Sequence, residues 1–180
     1  MRIIAGSRKG ARLFAPKGAD TRPTGDRVRE AVFNLVGPVD GADVLDLYAG
    51  SGAMGLEALS RGAARVTFVE SSRAAAETIL RNLDKLRLEG AVVLRDDAAR
   101  KLAADVAGGR RYDLVLVDPP YRMLARILPT LASSLPAVLA PGGLVVVESD
   151  AREEPELPLP LRTSRRYGAA RVTLFEAPAR

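Results

Sequence analysis

A short apolar run that ends in a glycine-rich loop is the feature that most restricts the fold of this chain. Residues 44–47 read Val-Leu-Asp-Leu, which predicts a buried parallel strand with one embedded carboxylate, Asp46. Three glycines in G-x-G-x-x-G spacing follow it: Gly50, Gly52 and Gly55. Glycines let the backbone turn sharply and let a ligand approach the strand end closely. This stretch therefore predicts a nucleotide-type ligand at the carboxyl end of the strand.

Strand-like and helix-like stretches alternate from this point onward. The strand-like runs are residues 44–47, 66–69, 92–94, 114–117 and 144–147. The helical stretches are residues 53–60, 73–88, 98–106 and 122–139, the last interrupted near Pro129 and Pro136. This alternation predicts an α/β fold with a mostly parallel, doubly wound sheet. Residues 161–167 and 171–175, joined through Gly168, predict a C-terminal hairpin at the sheet edge.

Residues 1–25 precede this pattern and are predicted to form a basic N-terminal arm. Two strand-like runs, residues 2–5 and 12–15, flank a loop rich in glycine and positive charge, which predicts a β-hairpin. Five cations in or beside the arm predict a phosphate-binding patch: Arg8, Lys9, Arg12, Arg22 and Arg27. The alternative is a solvated charged surface, which a basic composition alone would also produce.

A helix is predicted to follow the arm and to open the main domain, residues 26–180. Thr24 or Asp26 is suited to cap this helix. Its predicted apolar face comprises Val28, Ala31, Val32, Leu35 and Val36. That face leaves Arg27, Arg29 and Glu30 in solvent.

The composition excludes several kinds of chemistry. The 180 residues include no Cys and no His, so a disulfide, a zinc–thiolate site, a His general base and a Ser-His-Asp triad are all impossible. The net charge of +5 favours a polyanionic partner. No apolar run approaches the roughly 20 residues of a membrane span, and the first residues lack the apolar core of a signal peptide. These features predict a cytoplasmic protein without membrane contact.

Two ligands fit the strand and glycine loop, a nicotinamide or flavin dinucleotide and S-adenosylmethionine (SAM). Glu70 ends the next strand-like run at a distance along the chain that suits a ribose-binding carboxylate. A dinucleotide brings a pyrophosphate, which the carboxylate of Asp46 would repel. The ammonium group of SAM would instead be attracted to Asp46. Glu70 serves either ligand and does not decide between them.

Residues 118–121 read Asp-Pro-Pro-Tyr and follow the strand predicted at 114–117. The carboxyl end of a parallel strand is where α/β folds bind ligands. The carboxylate of Asp118 and the carbonyl of Pro119 are acceptors, because proline has no N–H to donate. An acceptor pair followed by an aromatic ring, Tyr121, suits a planar amino group that stacks on the ring. Accepting both amino hydrogens would stabilise the positive charge that develops on nitrogen during methyl transfer.

These motifs resemble those of a known family. Residues 46–52, D-L-Y-A-G-S-G, together with D-P-P-Y resemble SAM-dependent amino methyltransferases. With T-R-P-T at residues 21–24 and D-R-V-R-E at 26–30, nearly the whole chain resembles the RsmD family, the 16S ribosomal RNA guanine-N2 methyltransferases. The D-P-P-Y motif also occurs in adenine-N6 and cytosine-N4 enzymes, so the arm is the family-specific part. Gly25 departs from the family, where Thr is expected.

The resemblance implies roles for individual residues within a Rossmann-like SAM-dependent methyltransferase fold. Asp46, Gly50 and Gly52 would border the methionine part of SAM, with Tyr48 and Ser51 in the same loop. Glu70 would accept hydrogen bonds from the ribose hydroxyls. Asp97 and Ala98 would lie beside the adenine, although Asp96 is an alternative and Asp97 is equally suited to cap a helix. The site residues implied by the resemblance at the target base are Asp118, Pro119 and Tyr121.

The sequence therefore predicts methyl transfer from SAM to N2 of a guanine in 16S ribosomal RNA or the assembling small subunit, by a monomer that needs no metal. A DNA adenine-N6 methyltransferase is the principal alternative, and a separate target-recognition domain would favour it. A nicotinamide dehydrogenase would consume NADH. A non-catalytic RNA-binding protein would bind SAM without transferring its methyl group.

Overall fold

The computed structural model describes residues 1–16 and 25–179 and contains one seven-stranded sheet flanked by helices. The strands are β1 (Asp43–Leu47), β2 (Arg65–Val69), β3 (Ala91–Leu94), β4 (Tyr112–Val117), β5 (Leu139–Asp150), β6 (Leu161–Tyr167) and β7 (Ala170–Glu176). The helices are α1 (Asp26–Val36), α2 (Ala53–Ser60), α3 (Arg73–Leu86), α4 (Ala98–Ala107) and α5 (Tyr121–Val138). The predicted alternation of strands and helices is confirmed.

The strand order is β3-β2-β1-β4-β5-β7-β6. The first five strands run parallel, β7 is antiparallel to β5, and β6 is antiparallel to β7. The predicted C-terminal hairpin is therefore confirmed, with β6 at the sheet edge. Two hydrophobic clusters cover the two faces of the sheet, one including Phe33, Leu56 and Phe68 and the other including Leu102 and Leu135. Because the central strands are buried on both faces, ligands have access only at the strand ends.

Two prolines do not interrupt α5, contrary to the sequence prediction. Pro129 and Pro136 both lie inside the helix. Each removes one backbone hydrogen bond, but both are exposed, while Leu131 and Leu135 of the same helix are buried against the sheet. Packing of this apolar face therefore offsets the local cost. Strand β5 begins at Leu139, before the strand-like run predicted at residues 144–147, and its pairing with β4 shifts register between Leu139 and Leu144.

The N-terminal segment packs closely on the rest of the domain. Arg2 and Arg12 form one antiparallel bridge, and a turn of 3-10 helix spans Gly6–Arg8. The predicted hairpin pairing is thus limited to this bridge and a few flanking backbone hydrogen bonds. Ile3 is fully buried in the same cluster as Phe33 of α1. The first 16 residues therefore dock on the domain through an apolar anchor.

Helix α1 buries an arginine that the sequence placed in solvent. Its buried residues are Arg29, Val32, Phe33 and Val36, so the packed face is rotated from the predicted one. The Arg29 guanidinium is fully buried and donates to a carboxylate oxygen of Asp26 at 2.9 Å and to the Arg2 carbonyl. Gly25 is the N-cap residue, and Asp26 lies in the first turn without capping it by its side chain. Thr24, the other predicted cap, lies outside the described residues.

Candidate active site

The glycine loop between β1 and α2 adopts the backbone conformations that its sequence predicts. Gly50 and Gly52 have φ angles of 55° and 78°, in the left-handed region that favours glycine. Tyr48 has a φ of 60°, which is a strained conformation for a bulky side chain. A Cβ atom on Gly55 would lie 2.3 Å from the Phe68 ring, so this glycine lets α2 pack directly on β2. A Cβ on Gly50 would have no contact closer than 3.9 Å, which leaves room beside the loop.

Asp46 is a fully buried carboxylate beneath this loop. One of its oxygens accepts a hydrogen bond of 2.9 Å from the backbone N–H of Gly55. Burial raises the pKa of Asp46 to about 8, and the carboxylates of Asp118 and Glu70 add to the increase, while the Gly55 hydrogen bond opposes it. A cation bound beside Asp46 would reverse this increase in pKa.

Glu70 closes the other side of the loop. One carboxylate oxygen accepts from the Gly50 N–H at 2.8 Å, and the other accepts from the Ser72 N–H at 2.7 Å. Each oxygen retains acceptor capacity for a further donor, because an ionised carboxylate has about four lone-pair sites. Glu70 is therefore positioned to fix the loop and to accept from a diol. Its predicted contact with ribose hydroxyls stays a prediction.

The two aspartates before α4 both make local hydrogen bonds. Asp97 is the N-cap of α4, and one of its oxygens accepts from the N–H groups of Ala99 and Arg100. Asp96 accepts from the Arg100 guanidinium, which lowers the pKa of the Asp96 carboxyl. The negative charge of Asp97 contributes to raising the pKa of Tyr48, after the larger effect of burial. Both Asp97 and Ala98 follow β3, which is parallel to β2, so they lie at the same end of the sheet as the glycine loop. Their contact with adenine stays a prediction.

Asp118, Pro119 and Tyr121 lie at the carboxyl end of β4, next to β1. Asp118 is partly exposed, Pro119 is buried, and Tyr121 is the first residue of α5. The Tyr121 hydroxyl donates to a carboxylate oxygen of Glu148 on β5 at 3.3 Å. The structure thus brings together an acceptor carboxylate and an aromatic ring, as the sequence predicts. It also adds a carboxylate, Glu148, that the motif search missed.

Four acidic side chains therefore surround the carboxyl ends of the central strands: Asp46, Glu70, Asp118 and Glu148. Such a site repels a pyrophosphate and attracts a cation, which fits the ammonium and sulfonium groups of SAM and disfavours a dinucleotide. Within residues 1–16 and 25–179, no group of three or more Asp or Glu residues has the arrangement of a metal site.

The predicted phosphate-binding cations are divided between structural and exposed positions. The Arg8 side chain donates to the carbonyls of Leu86 and Arg87 at the C-terminal end of α3, at 2.5 and 3.1 Å. This arrangement stabilises the helix end and gives Arg8 a structural role. Lys9, Arg12 and Arg27 are exposed. Arg22 lies outside the described residues. RNA contacts of all five stay predictions.

Helix α3 adds cations to the arm that sequence spacing did not reveal. Arg81 and Lys85 lie 5.3 and 4.4 Å from the centre of the partly exposed Phe14 ring. Lys85 also donates to the Arg12 carbonyl at 2.7 Å. Positions 81 and 85 are one helical turn apart, so the sequence could indicate that these two cations share a helix face. Only the fold shows that the arm lies beside that face.

Comparisons with known proteins agree with this geometry. The family described as Conserved hypothetical protein 95 matches residues 1–176. The chain belongs to this family. YlbH of Bacillus subtilis is 40% identical over 184 residues, covering 98% of both chains. Ribosomal RNA small subunit methyltransferase D of Escherichia coli is 41% identical over 153 residues, covering 83% of this chain and 75% of that one. The solved structure of yhhF from Escherichia coli has a TM-score of 0.83 at 36% identity, covering 100% and 99% of the two chains.

The family, the fold and the site together identify a SAM-dependent methyltransferase with a Rossmann-like fold. The sequence resemblance to the RsmD family is confirmed. Within the part of the chain that the structure describes, none of the helices has the length and hydropathy needed to cross a bilayer.

The raised pKa of Asp46 predicts that SAM binding releases a proton. At pH 7 a carboxyl with a pKa of about 8 is mostly protonated, and an arriving ammonium group favours its ionised form. We expect up to about one proton released per SAM at pH 7. Calorimetry in two buffers of different ionisation enthalpy measures this number. Asp46→Asn should abolish the release and weaken SAM binding, and a wild type without proton release would contradict the assignment.

The same pKa fixes the direction of the stability change with pH. The folded chain keeps a proton on Asp46 up to about pH 8, whereas the unfolded chain loses it near 3.8. The folded state therefore binds more protons between these values, and this group makes the unliganded protein less stable as the pH rises through that window. Asp46→Asn should remove this component, so the variant should gain stability over wild type at pH 8 while losing SAM affinity.

Proposed function

We propose that this protein transfers the methyl group of SAM to the exocyclic N2 amine of a guanine in small-subunit ribosomal RNA, in the cytoplasm. The observation that carries the proposal is the convergence of Asp46, Glu70 and Asp118 at one edge of the sheet, with Tyr121 beside them. The first two are suited to a cationic cofactor, and the third to an amino group. The similarity to an rRNA small subunit methyltransferase supports ribosomal RNA as the substrate class.

The proposed chemistry is a direct displacement without a covalent intermediate on the protein. The sulfonium of SAM supplies an electrophilic methyl group. Asp118 and the Pro119 carbonyl accept the two hydrogens of the target amine and hold its nitrogen toward that methyl group. As the N–CH3 bond forms, the S–CH3 bond breaks and its electron pair stays on sulfur. The amine then loses one proton to water, and Tyr121 holds the flipped base by stacking.

The position of the arm supports RNA binding on the side of the sheet where the target would enter. Ile3 and the buried face of α1 belong to the hydrophobic cluster that also contains Leu116 and Val146. These two residues lie two positions before Asp118 and Glu148 and therefore on the same face of the sheet. Asn82 of α3 is fully buried and joins the arm to the glycine loop between β1 and α2, which we call the cofactor loop. Its amide donates to the carbonyls of Phe14 and Ser51 at 3.1 and 3.3 Å. Contacts of RNA with the arm would thus be made close to the cofactor loop.

A labelling experiment tests the function directly. Ribosomal RNA and small subunits are prepared from cells that lack the gene and are incubated with the protein and methyl-labelled SAM. Digestion to nucleosides should give labelled N2-methylguanosine from 16S RNA. Double-stranded DNA is included as a parallel substrate, and labelled N6-methyladenine from it would support the alternative function. The absence of label in guanosine would refute the proposal.

The exposed arm cations should contribute to the salt dependence of RNA binding. Each lost phosphate contact should reduce the slope of log affinity against log salt by roughly 0.7–0.9. We expect the double variant Lys9→Ala/Arg12→Ala to show a flatter slope with unchanged SAM affinity, because both side chains are exposed. Arg8 is left intact because it supports the end of α3.

A matched control uses β6, the outermost strand at the C-terminal hairpin side of the sheet. Arg165 and Arg166 lie exposed on β6, so their double alanine variant changes the net charge equally. If the arm binds RNA, this control keeps the wild-type salt slope. A flatter slope in the β6 variant and a wild-type slope in the arm variant would instead place RNA on the C-terminal hairpin.

A further inference from the structure

The Asp-Pro-Pro-Tyr motif provides acceptors for an amino group but no means of distinguishing guanine from other amino-bearing bases. From the placement of Glu148 we infer that this residue supplies the selectivity, by accepting a hydrogen bond from N1–H of the target guanine. The inference rests on the proposed function and assigns a specificity-determining residue within it.

Glu148 occupies the position on β5 that neighbours Asp118 on β4. Val117 and Val147 are paired in the parallel register, and the next residues on the two strands are Asp118 and Glu148. Side chains at matching positions of neighbouring parallel strands point to the same face. The Glu148 carboxylate also lies within 3.3 Å of the Tyr121 hydroxyl. It is therefore next to both groups that the proposed mechanism assigns to the target base.

The Glu148 side chain is only 7% exposed, so its carboxylate is shielded from bulk water. Two oxygens with about four lone-pair sites allow it to accept from Tyr121 and from a second donor at once. A carboxylate kept in such surroundings favours partners that donate and repels partners that present a lone pair. Glu148 would therefore favour a base that has an N–H group facing the carboxylate over a base that has a nitrogen lone pair there.

The Watson–Crick edge of guanine matches this requirement. Guanine presents the N1–H donor next to its N2 amine, so Asp118 and Glu148 would accept from adjacent atoms of one base. Adenine presents an acceptor at N1 beside its N6 amine, and that lone pair would face the Glu148 carboxylate. The same pair of carboxylates thus accepts guanine and rejects adenine.

The experiment compares two bases that differ at N1 and share the 2-amine. Small subunits are reconstituted with 16S RNA that carries either guanine or 2-aminopurine at the methylated nucleotide, which is located beforehand by nuclease mapping of the labelled RNA. 2-Aminopurine keeps the amine but has an acceptor at N1. Wild type should methylate guanine faster on the order of 10- to 100-fold, because the analogue presents its N1 lone pair, and not a hydrogen, to the buried carboxylate. Glu148→Gln should bring this ratio close to one, since an amide can donate to the N1 lone pair.

Tyr121→Phe separates two possible roles of Glu148, recognition of the target base and orientation of the Tyr121 ring. It removes the hydroxyl that Glu148 binds but keeps both the ring and the carboxylate. If Glu148 reads N1–H, Tyr121→Phe retains the wild-type preference for guanine even where its rate falls. If Glu148 only orients Tyr121, both variants lose rate equally on the two RNAs and the preference is unchanged, which overturns the inference.

Wild type alone provides a test that does not depend on any variant folding. Equal methylation of guanine and 2-aminopurine by wild type refutes the role of Glu148 while leaving the proposed function intact. No methylation of the guanine substrate refutes the proposed function itself. Comparing each variant with wild type on the same pair of RNAs cancels any effect of 2-aminopurine on RNA folding.

Discussion

Asp118→Ala is expected to lower the rate constant for methyl transfer at saturating SAM by about 100-fold or more while leaving the fold intact. The side chain is partly exposed at the end of β4, so its removal creates no cavity in the core. What is lost is the acceptor that holds the target nitrogen and stabilises its developing positive charge, and removal of one preorganised polar group costs roughly this factor. Single-turnover methylation of small subunits measures the rate, and circular dichroism and SAM titration check the fold and the cofactor site.

Two further variants make this result interpretable. Asp118→Asn keeps one acceptor oxygen without the charge, so its rate should lie between those of wild type and Asp118→Ala. Asp40→Ala removes an exposed carboxylate from the loop before β1, at the other end of the sheet, and should retain wild-type turnover. Wild-type turnover by a folded Asp118→Ala protein would disprove the mechanism.

The positions of the cofactor-loop residues could be predicted because parallel strands impose them. Once residues 44–47 and 114–117 are assigned as neighbouring strands, the residues that follow must lie at one edge of the sheet. Glu70 and Asp118 follow this rule, Asp46 lies one residue before the end of β1, and the charges of Asp118 and Glu70 contribute to the raised pKa of Asp46. Glu148 obeys the same rule, because it directly follows the apolar run at 144–147. It was missed because a single carboxylate after a strand is not a recognised motif.

The structural roles of charged residues could not be predicted, because they depend on contacts far apart in sequence. Arg29 was placed in solvent because a charged residue was assumed to lie outside the apolar face of α1. That assumption omitted Phe33 and rotated the face by about one residue. Arg8 binds carbonyls of residues 86 and 87, and no local pattern identifies such a partner. Local periodicity therefore located the elements but not the partners of their charged side chains.

The arm is held to the domain by a buried carboxylate on α2. Glu57 is fully buried and accepts from the backbone N–H groups of Ile4 and Ala5 at 2.8 and 2.9 Å. It also binds the Arg61 side chain at 2.8 Å, and its other oxygen lies 3.6 Å from Nε of the buried Arg29. One side chain thus joins the N-terminal segment, α1 and α2, immediately after the cofactor loop.

Glu57→Ala should therefore destabilise the protein by about 3–5 kcal/mol, the usual cost of removing one partner from a buried ion pair. The variant leaves the Arg29 guanidinium buried without this carboxylate and leaves two arm N–H groups without acceptors. Urea unfolding measures the free-energy change. Hydrogen exchange at Ile4 and Ala5 should become faster, because their acceptor is lost.

An exposed pair of the same geometry provides the control. Glu77 and Arg73 on α3 are also four residues apart, with Nε and Oε1 2.8 Å apart, but their side chains are 58% and 78% exposed. Because solvent screens such a pair, it contributes little to the free energy of unfolding, so Glu77→Ala should leave the urea midpoint close to that of wild type. Equal urea midpoints for Glu57→Ala and Glu77→Ala would show that the contacts of Glu57 do not hold the arm on the domain. RNA bound by Lys9 and Arg12 would then lack a fixed position relative to the cofactor loop.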